Sequence, residues 1–142
     1  MDWALLNVDA DRIGKNAIDN VLFDGIKSDF DEIEVQAYSR NSKGLVYGTV
    51  NGIKSDVKLD DLTSSAYTIM GEKHRFSEPG DSGSFVTTKG GDELIGYIFA
   101  GNDDENISEQ RLLSYFIPME MTLDHMRKVT KKDDLCLYTG NV

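Results

Sequence analysis

The sequence predicts an all-β domain closed by a C-terminal helix, and three observations carry that expectation. Short segments that alternate apolar and polar residues recur between Ile33 and Ile117, the period-two mark of half-buried strands. Turn signals separate them, among them Asn51-Gly52 and Lys89-Gly90-Gly91-Asp92. After Pro118, the residues Met119, Leu123, Met126 and Val129 fall at helical spacing. With 142 residues, 39% of them hydrophobic, the chain makes one domain able to bury a core.

Taken in order, Trp3, Ala4, Leu5, Leu6 and Val8 predict a first strand over residues 3–8. Residues 9–31 are acidic and irregular, with Gly14, Asn16, Asn20 and Gly25, and read as a connector. Asp9-Ala10-Asp11 resembles the start of a calcium loop. Ile13, however, stands where another oxygen ligand is needed and no glutamate closes the loop, so no metal is expected. No cofactor motif occurs, and none is expected. Ile33 to Tyr38 alternates, with Ile33, Val35 and Ala37 on one face. Ser39 to Gly44 is turn-rich, and Leu45 to Val50 forms the next strand. Asn51-Gly52 then predicts a tight turn into a further strand over Ile53 to Leu59. Tyr67 to Met70 is another strand, and Glu72-Lys73-His74-Arg75 a charged surface stretch. Phe85–Thr88 and Glu93–Ala100 make a hairpin about the glycine turn. Asn102–Gln110 is a polar, acidic loop and Leu112–Ile117 the last strand. Pro118 opens the helix, where its fixed φ and missing N–H cost nothing. Glu120 near the helix start and Arg127, Lys128, Lys131 and Lys132 near its end complement the dipole.

The formal net charge of -10 disfavours nucleic acid and anionic membrane surfaces as partners. No apolar run approaches a membrane span, and no basic start leads into an apolar stretch as in a signal peptide. If Met1 is the true start, the product is expected to stay inside the cell. Cys136 is the single cysteine, so no internal disulfide forms, which suits an intracellular or disulfide-free lineage.

Chemistry concentrates at Pro79-Gly80-Asp81-Ser82-Gly83-Ser84. A serine between two glycines, followed by an apolar strand from Phe85, meets the needs of a nucleophile. The backbone turns tightly, amides point at a carbonyl oxygen, and the side chain stays reachable. An ordinary turn before a strand is the plainer reading.

Gly80-Asp81-Ser82-Gly83 resembles the nucleophile loop of the chymotrypsin/trypsin family of serine proteases. Asp2-Trp3-Ala4-Leu5-Leu6 resembles that family's Asp-x-Ala-Leu segment, and Leu94 to Gly101 its strand after the nucleophile loop. Fungal trypsin-like proteins with Asp-Trp-Ala-Leu and Pro-Gly-Asp-Ser-Gly-Ser are the most similar in feel, and the likeness runs from Asp2 to the last helix. The resemblance implies a six-stranded antiparallel Greek-key β-barrel of trypsin-like type, the second of two. Residues 1–31 are then a remnant of the first barrel with its connector, 32–118 the second barrel, and 119–142 a helix and tail. It implies Ser82 as nucleophile, Asp2 as triad acid, and the amides of Gly80 and Ser82 as oxyanion hole. Phe76, Phe99, Ala100 and Gly101 would contact a peptide or protein substrate. Asp81 would pair with an N-terminal amine freed by zymogen cleavage.

Three departures matter. The family's triad histidine precedes the aspartate, so it would lie in a missing N-terminal half. His74 and His125 do not match its position. Phe76 puts no charge at the base of the specificity pocket. Its ring either fills that pocket or packs in the barrel. Phe99 stands where the family usually has serine, and Leu113 near a usual pocket glycine. The chain therefore reads as an endopeptidase sequence that cuts peptide bonds in its complete form and is inactive alone. The alternatives are a non-catalytic barrel that binds protein, with Phe76 and Phe99 closing its pocket, and a related hydrolase such as an esterase.

Overall fold

A computed structural model describes residues 3, 4, 6, 9, 17–18, 21–22, 24–59, 62–102 and 112–137. Nine strands and one helix are described: β1 Ala17–Ile18, β2 Val21–Leu22, β3 Gly25–Ile26, β4 Glu34–Ser39, β5 Gly44–Leu59, β6 Leu62–Gly71, β7 Phe85–Thr88, β8 Glu93–Gly101, β9 Leu113–Pro118 and α1 Met119–Thr130. Six of them close into an antiparallel barrel in the order β4-β5-β6-β9-β8-β7, with β7 returning to pair with β4. Closure gives each of the six strands a partner on both sides. β3 is one extra strand, parallel to the first residues of β8, where Gly25 and Ile26 face Glu93 and Leu94. β1 and β2 form a separate two-stranded ribbon within the expected connector.

The strand alternation places one side chain in two inside the barrel. Val35, Ala37, Val50, Ile69, Val86, Ile95, Ile98 and Phe116 make one core with Phe30 and Phe76. Phe30 closes part of it, its ring edge-on to Tyr67 at 4.9 Å and to Phe116 at 5.5 Å between centroids. These T-shaped contacts add to the burial of large apolar area. Leu94 instead meets Met119 and Leu123 of α1 on the outside of the barrel, with Ile26, Tyr97, Met126 and Leu137 around them. Pro118 ends β9 because it has no N–H for the ladder, and the chain passes directly into α1. Met119 and Leu123 bury as the helical spacing expects. Val129, in the last helical turn, stays 58% exposed. Arg127 pairs with Glu120 at 3.1 Å and Asp124 at 2.9 Å and donates to the Leu135 carbonyl, fastening the chain after the helix.

Two expected elements differ. Asn51-Gly52 makes no hairpin: Gly44–Leu59 is a single strand of 16 residues. Its ladder to β6 shifts register between Asn51 and Ser55, a bulge in which the Asn51 side chain accepts the Ile53 amide at 3.1 Å. A side chain at residue 52 would strike the Asp31 carboxylate, so glycine serves close approach there and not a two-residue turn. The strand expected over residues 3–8 is absent at Trp3, Ala4 and Leu6, the residues of it that are described; Leu6 is 83% exposed. Trp3 instead reaches α1, donating its indole N–H to His125 Nδ1 at 2.8 Å. Most of the 102–110 loop and the Asp9-Ala10-Asp11 segment lie outside the described residues.

Candidate functional site

Residues 72–84 leave β6 and cross to β7, and the serine loop is the last part of that crossing. Two successive turns shape it: the Asp81 amide donates to the Glu78 carbonyl and the Ser84 amide to the Asp81 carbonyl, each at 3.0 Å. Gly80 at φ 100° and Gly83 at φ 88° occupy backbone that other residues rarely adopt. The loop then joins the barrel, with Gly83 N donating to Ile98 O at 2.7 Å and Ile98 N donating to Ser84 O at 2.9 Å.

Asp81 points inward and is 1% exposed. Among the described residues its carboxylate accepts three hydrogen bonds: from Ser39 Oγ at 2.8 Å, from the Arg40 amide at 3.0 Å and from the Glu78 amide at 3.0 Å. A buried carboxylate requires such donors, and bonds to an ionised acceptor are the stronger kind. Ser82, next in sequence, is turned outward and exposed. Its hydroxyl has a long 3.5 Å contact to the Phe99 carbonyl, so little holds it back from another partner. Among the described residues, the amides of Gly80 and Ser82 take no hydrogen-bond partner, while those of Asp81, Gly83 and Ser84 do. The two donors that the resemblance assigns to an oxyanion are thus the two left available.

Ser82 opens on a cavity of about 180 Å³ lined by Arg75, Ser77, Pro79, Ile98, Ala100 and Gly101, among others. Ser77 Oγ lies 2.6 Å from the buried Ser114 Oγ beside it. Ala100 and Gly101, expected to contact substrate, line this cavity. Phe99 does not line it; its carbonyl faces Ser82 and its ring lies 6.5 Å from Tyr115. Phe76 is not part of the wall either. It is 1% exposed inside the barrel core, made possible by Gly48, where a Cβ would come within 2.9 Å of the ring. Leu113 lines a different groove, with Glu32, Thr49 and Met70. Asp2 lies outside the described residues.

The β7–β8 ladder ends at Phe85, opposite Tyr97, and the bonds of Gly83 and Ser84 to Ile98 carry the contact one residue further. Beyond it, Ala100 and Gly101 pair with Tyr115 and Ser114 of β9 on their other side. Among the described residues, no strand pairs with Ala100 and Gly101 on the side of Ser82, which leaves a backbone edge to which an extended chain can add.

Neither histidine lines the serine cavity. His74 lies in a groove with Leu45, Tyr47 and Glu72, and His125 accepts the Trp3 indole on α1. The groups whose titration is displaced are also elsewhere. Glu34 raises Lys89 through a hydrogen bond, Thr88 lowers Asp92 in the same way, and Glu120 raises Arg127. Among the described residues, no three His, Cys, Asp or Glu gather as a metal would require, and no helix is long and apolar enough to cross a membrane.

Sequence reasoning missed the partners of Asp81. Ser39, Arg40 and Asn41 read as a polar turn, and their link to the loop spans about forty residues, a distance no local pattern carries. No protein-family model matches this chain, and a search of curated proteins finds no match.

Proposed function

We propose that this chain is the serine-bearing barrel of a trypsin-like serine endopeptidase, whose complete form cuts peptide bonds through an acyl-enzyme on Ser82. The observation that carries this reading is the 78–84 loop: an exposed serine hydroxyl between two positive-φ glycines, with the Gly80 and Ser82 amides unengaged among the described residues. The strand order supports it. β7 lies beside β4, giving the spatial order β7-β4-β5-β6, the arrangement of a Greek key.

In this mechanism a substrate strand pairs along Ala100 and Gly101 and places one side chain in the cavity. Ser82 Oγ attacks the carbonyl carbon as its proton passes to a base. The carbonyl π electrons move onto oxygen, where the Gly80 and Ser82 amides receive the charge. Collapse expels the amine, which takes the proton from the base, and water then releases the acyl group by the same steps. The described residues supply the nucleophile and the oxyanion donors. Among them, no histidine lines the cavity at Ser82 to act as that base, and the chain alone is expected to show little or no proteolysis. A second reading, a barrel that binds an extended peptide without cutting it, is favoured by the lack of a histidine in the cavity wall.

Added imidazole separates the two. A fluorophosphonate probe should label Ser82 slowly in buffer and faster in proportion to imidazole, which substitutes for the absent base. Ser82→Ala should remove the label. No labelling at any imidazole concentration would rule out the nucleophile and leave the binding reading.

A further inference from the structure

We propose that the β4–β5 turn is the element that positions the serine loop, with Ser39 as its principal positioning residue, and that the loop takes its working shape without any N-terminal amine. The inference rests on the peptidase reading above and concerns how that site is kept in order. Asp81 is buried directly beside the proposed nucleophile, and all three of its donors are neutral: one hydroxyl and two backbone amides. Two of the three come from the end of β4 and the turn that follows it: Ser39 and Arg40. The direction of the Ser39 bond is fixed by its neighbours. Ser39 Oγ accepts the Ser42 amide at 3.3 Å, which leaves its proton for Asp81. Ser39 itself is 2% exposed, so water does not compete for that proton. A further tie comes from Asn41, whose side-chain amide donates to the Pro79 carbonyl at 2.8 Å. The turn thus grips the loop on both sides of Gly80.

The carboxylate to which the resemblance gives a cleavage-generated ammonium thus already has three donors among the described residues. No proteolytic step is needed to build the loop. An ammonium paired with a carboxylate loses its proton at some pH above the ordinary α-amine value, whereas hydroxyl and amide donors keep theirs, so the loop should hold its shape on the alkaline side too.

Two readouts test this. Hydrogen exchange of the Gly83 and Ser84 amides reports loop order independently of Ser82 chemistry, and imidazole-assisted labelling reports its function. In Ser39→Ala, both amides should exchange faster, and labelling should slow, by roughly tenfold to a hundredfold, the worth of one hydrogen bond to a charged group. The β5 and β6 amides should be unmoved. Ser39→Thr should restore both readouts, and Asn41→Ala, at an exposed position, should give a smaller loss if Ser39→Ala does not fold. Acetylating the amines, or raising the pH from 7 to 9.5 with intrinsic exchange corrected for, should leave loop protection unchanged. Unchanged protection in both variants, or a loop loosened by acetylation, would overturn the proposal. If wild-type Ser82 never labels while Ser39→Ala still frees the two amides, the peptidase reading fails and the positioning role stands.

Discussion

Replacing Phe76 by alanine distinguishes a core residue from a pocket floor. The ring is 1% exposed and touches the barrel core that includes Ile69 and Phe116. Withdrawing a fully buried phenylalanine from its surroundings loses about 2–3 kcal/mol of transfer free energy. The ring lies inside the packed core of a closed barrel, so a cavity term adds to this, and the total should be about 3–5 kcal/mol. For a chain of this size, at about 3 °C per kcal/mol, the midpoint of thermal unfolding should fall by roughly 9–15 °C. Urea unfolding followed by circular dichroism gives the free energy directly, with the slope unchanged if the native state stays compact. A loss below about 1 kcal/mol, accompanied by a change in which peptides bind at Ser82, would refute the core assignment.

Other perturbations have equally definite outcomes. Ser82→Ala should move stability by no more than about 0.5 kcal/mol, as its hydroxyl has only the long contact to Phe99 O. Gly48→Ala should cost about 1–3 kcal/mol by denaturation, because the new methyl meets the Met70 carbonyl at 2.6 Å and Ile69 at 2.8 Å. Gly83→Ala has open space around it, so its cost should be the conformational one alone, of order 1–3 kcal/mol at φ 88°. Thr88→Val should raise the Asp92 carboxyl toward its ordinary value in an NMR titration, since the Thr88 hydroxyl is the main cause of its lowering. The folded value is the lower one. The small stabilisation is therefore present above the unfolded value and lost as pH falls through the folded one.

Much of the barrel was legible because its signals are local. Phe85–Thr88 and the turn into β8 follow from β-branched and aromatic residues beside a glycine pair, and Pro118 marks the change from strand to helix in one residue. Asn51-Gly52 misled because the same dipeptide suits a two-residue turn and a bulge. Only the partner strand decides, and β6 continues opposite it from Leu62 to Gly71. Val129 carried the right spacing but, in the last helical turn, stays exposed. At the site, the glycines and Ser82 are contiguous and could be read directly. Phe76 could not: six positions before Ser82, its role depends on the space left by Gly48, a residue far from it in sequence. Ser39 was hidden for the same reason, since its meaning comes from a bond to Asp81 that the fold creates.

The account rests on two amide hydrogens serving one oxygen beside Ser82. The most direct measurement is ¹⁵N–¹H NMR of the chain before and after phosphonylation in imidazole. The Gly80 and Ser82 amide protons should move downfield together by the largest shifts in the spectrum, as both bind the phosphonyl oxygen. A Ser82 adduct that leaves those two resonances in place, or shifts chiefly amides remote from the 78–84 loop, would contradict the account.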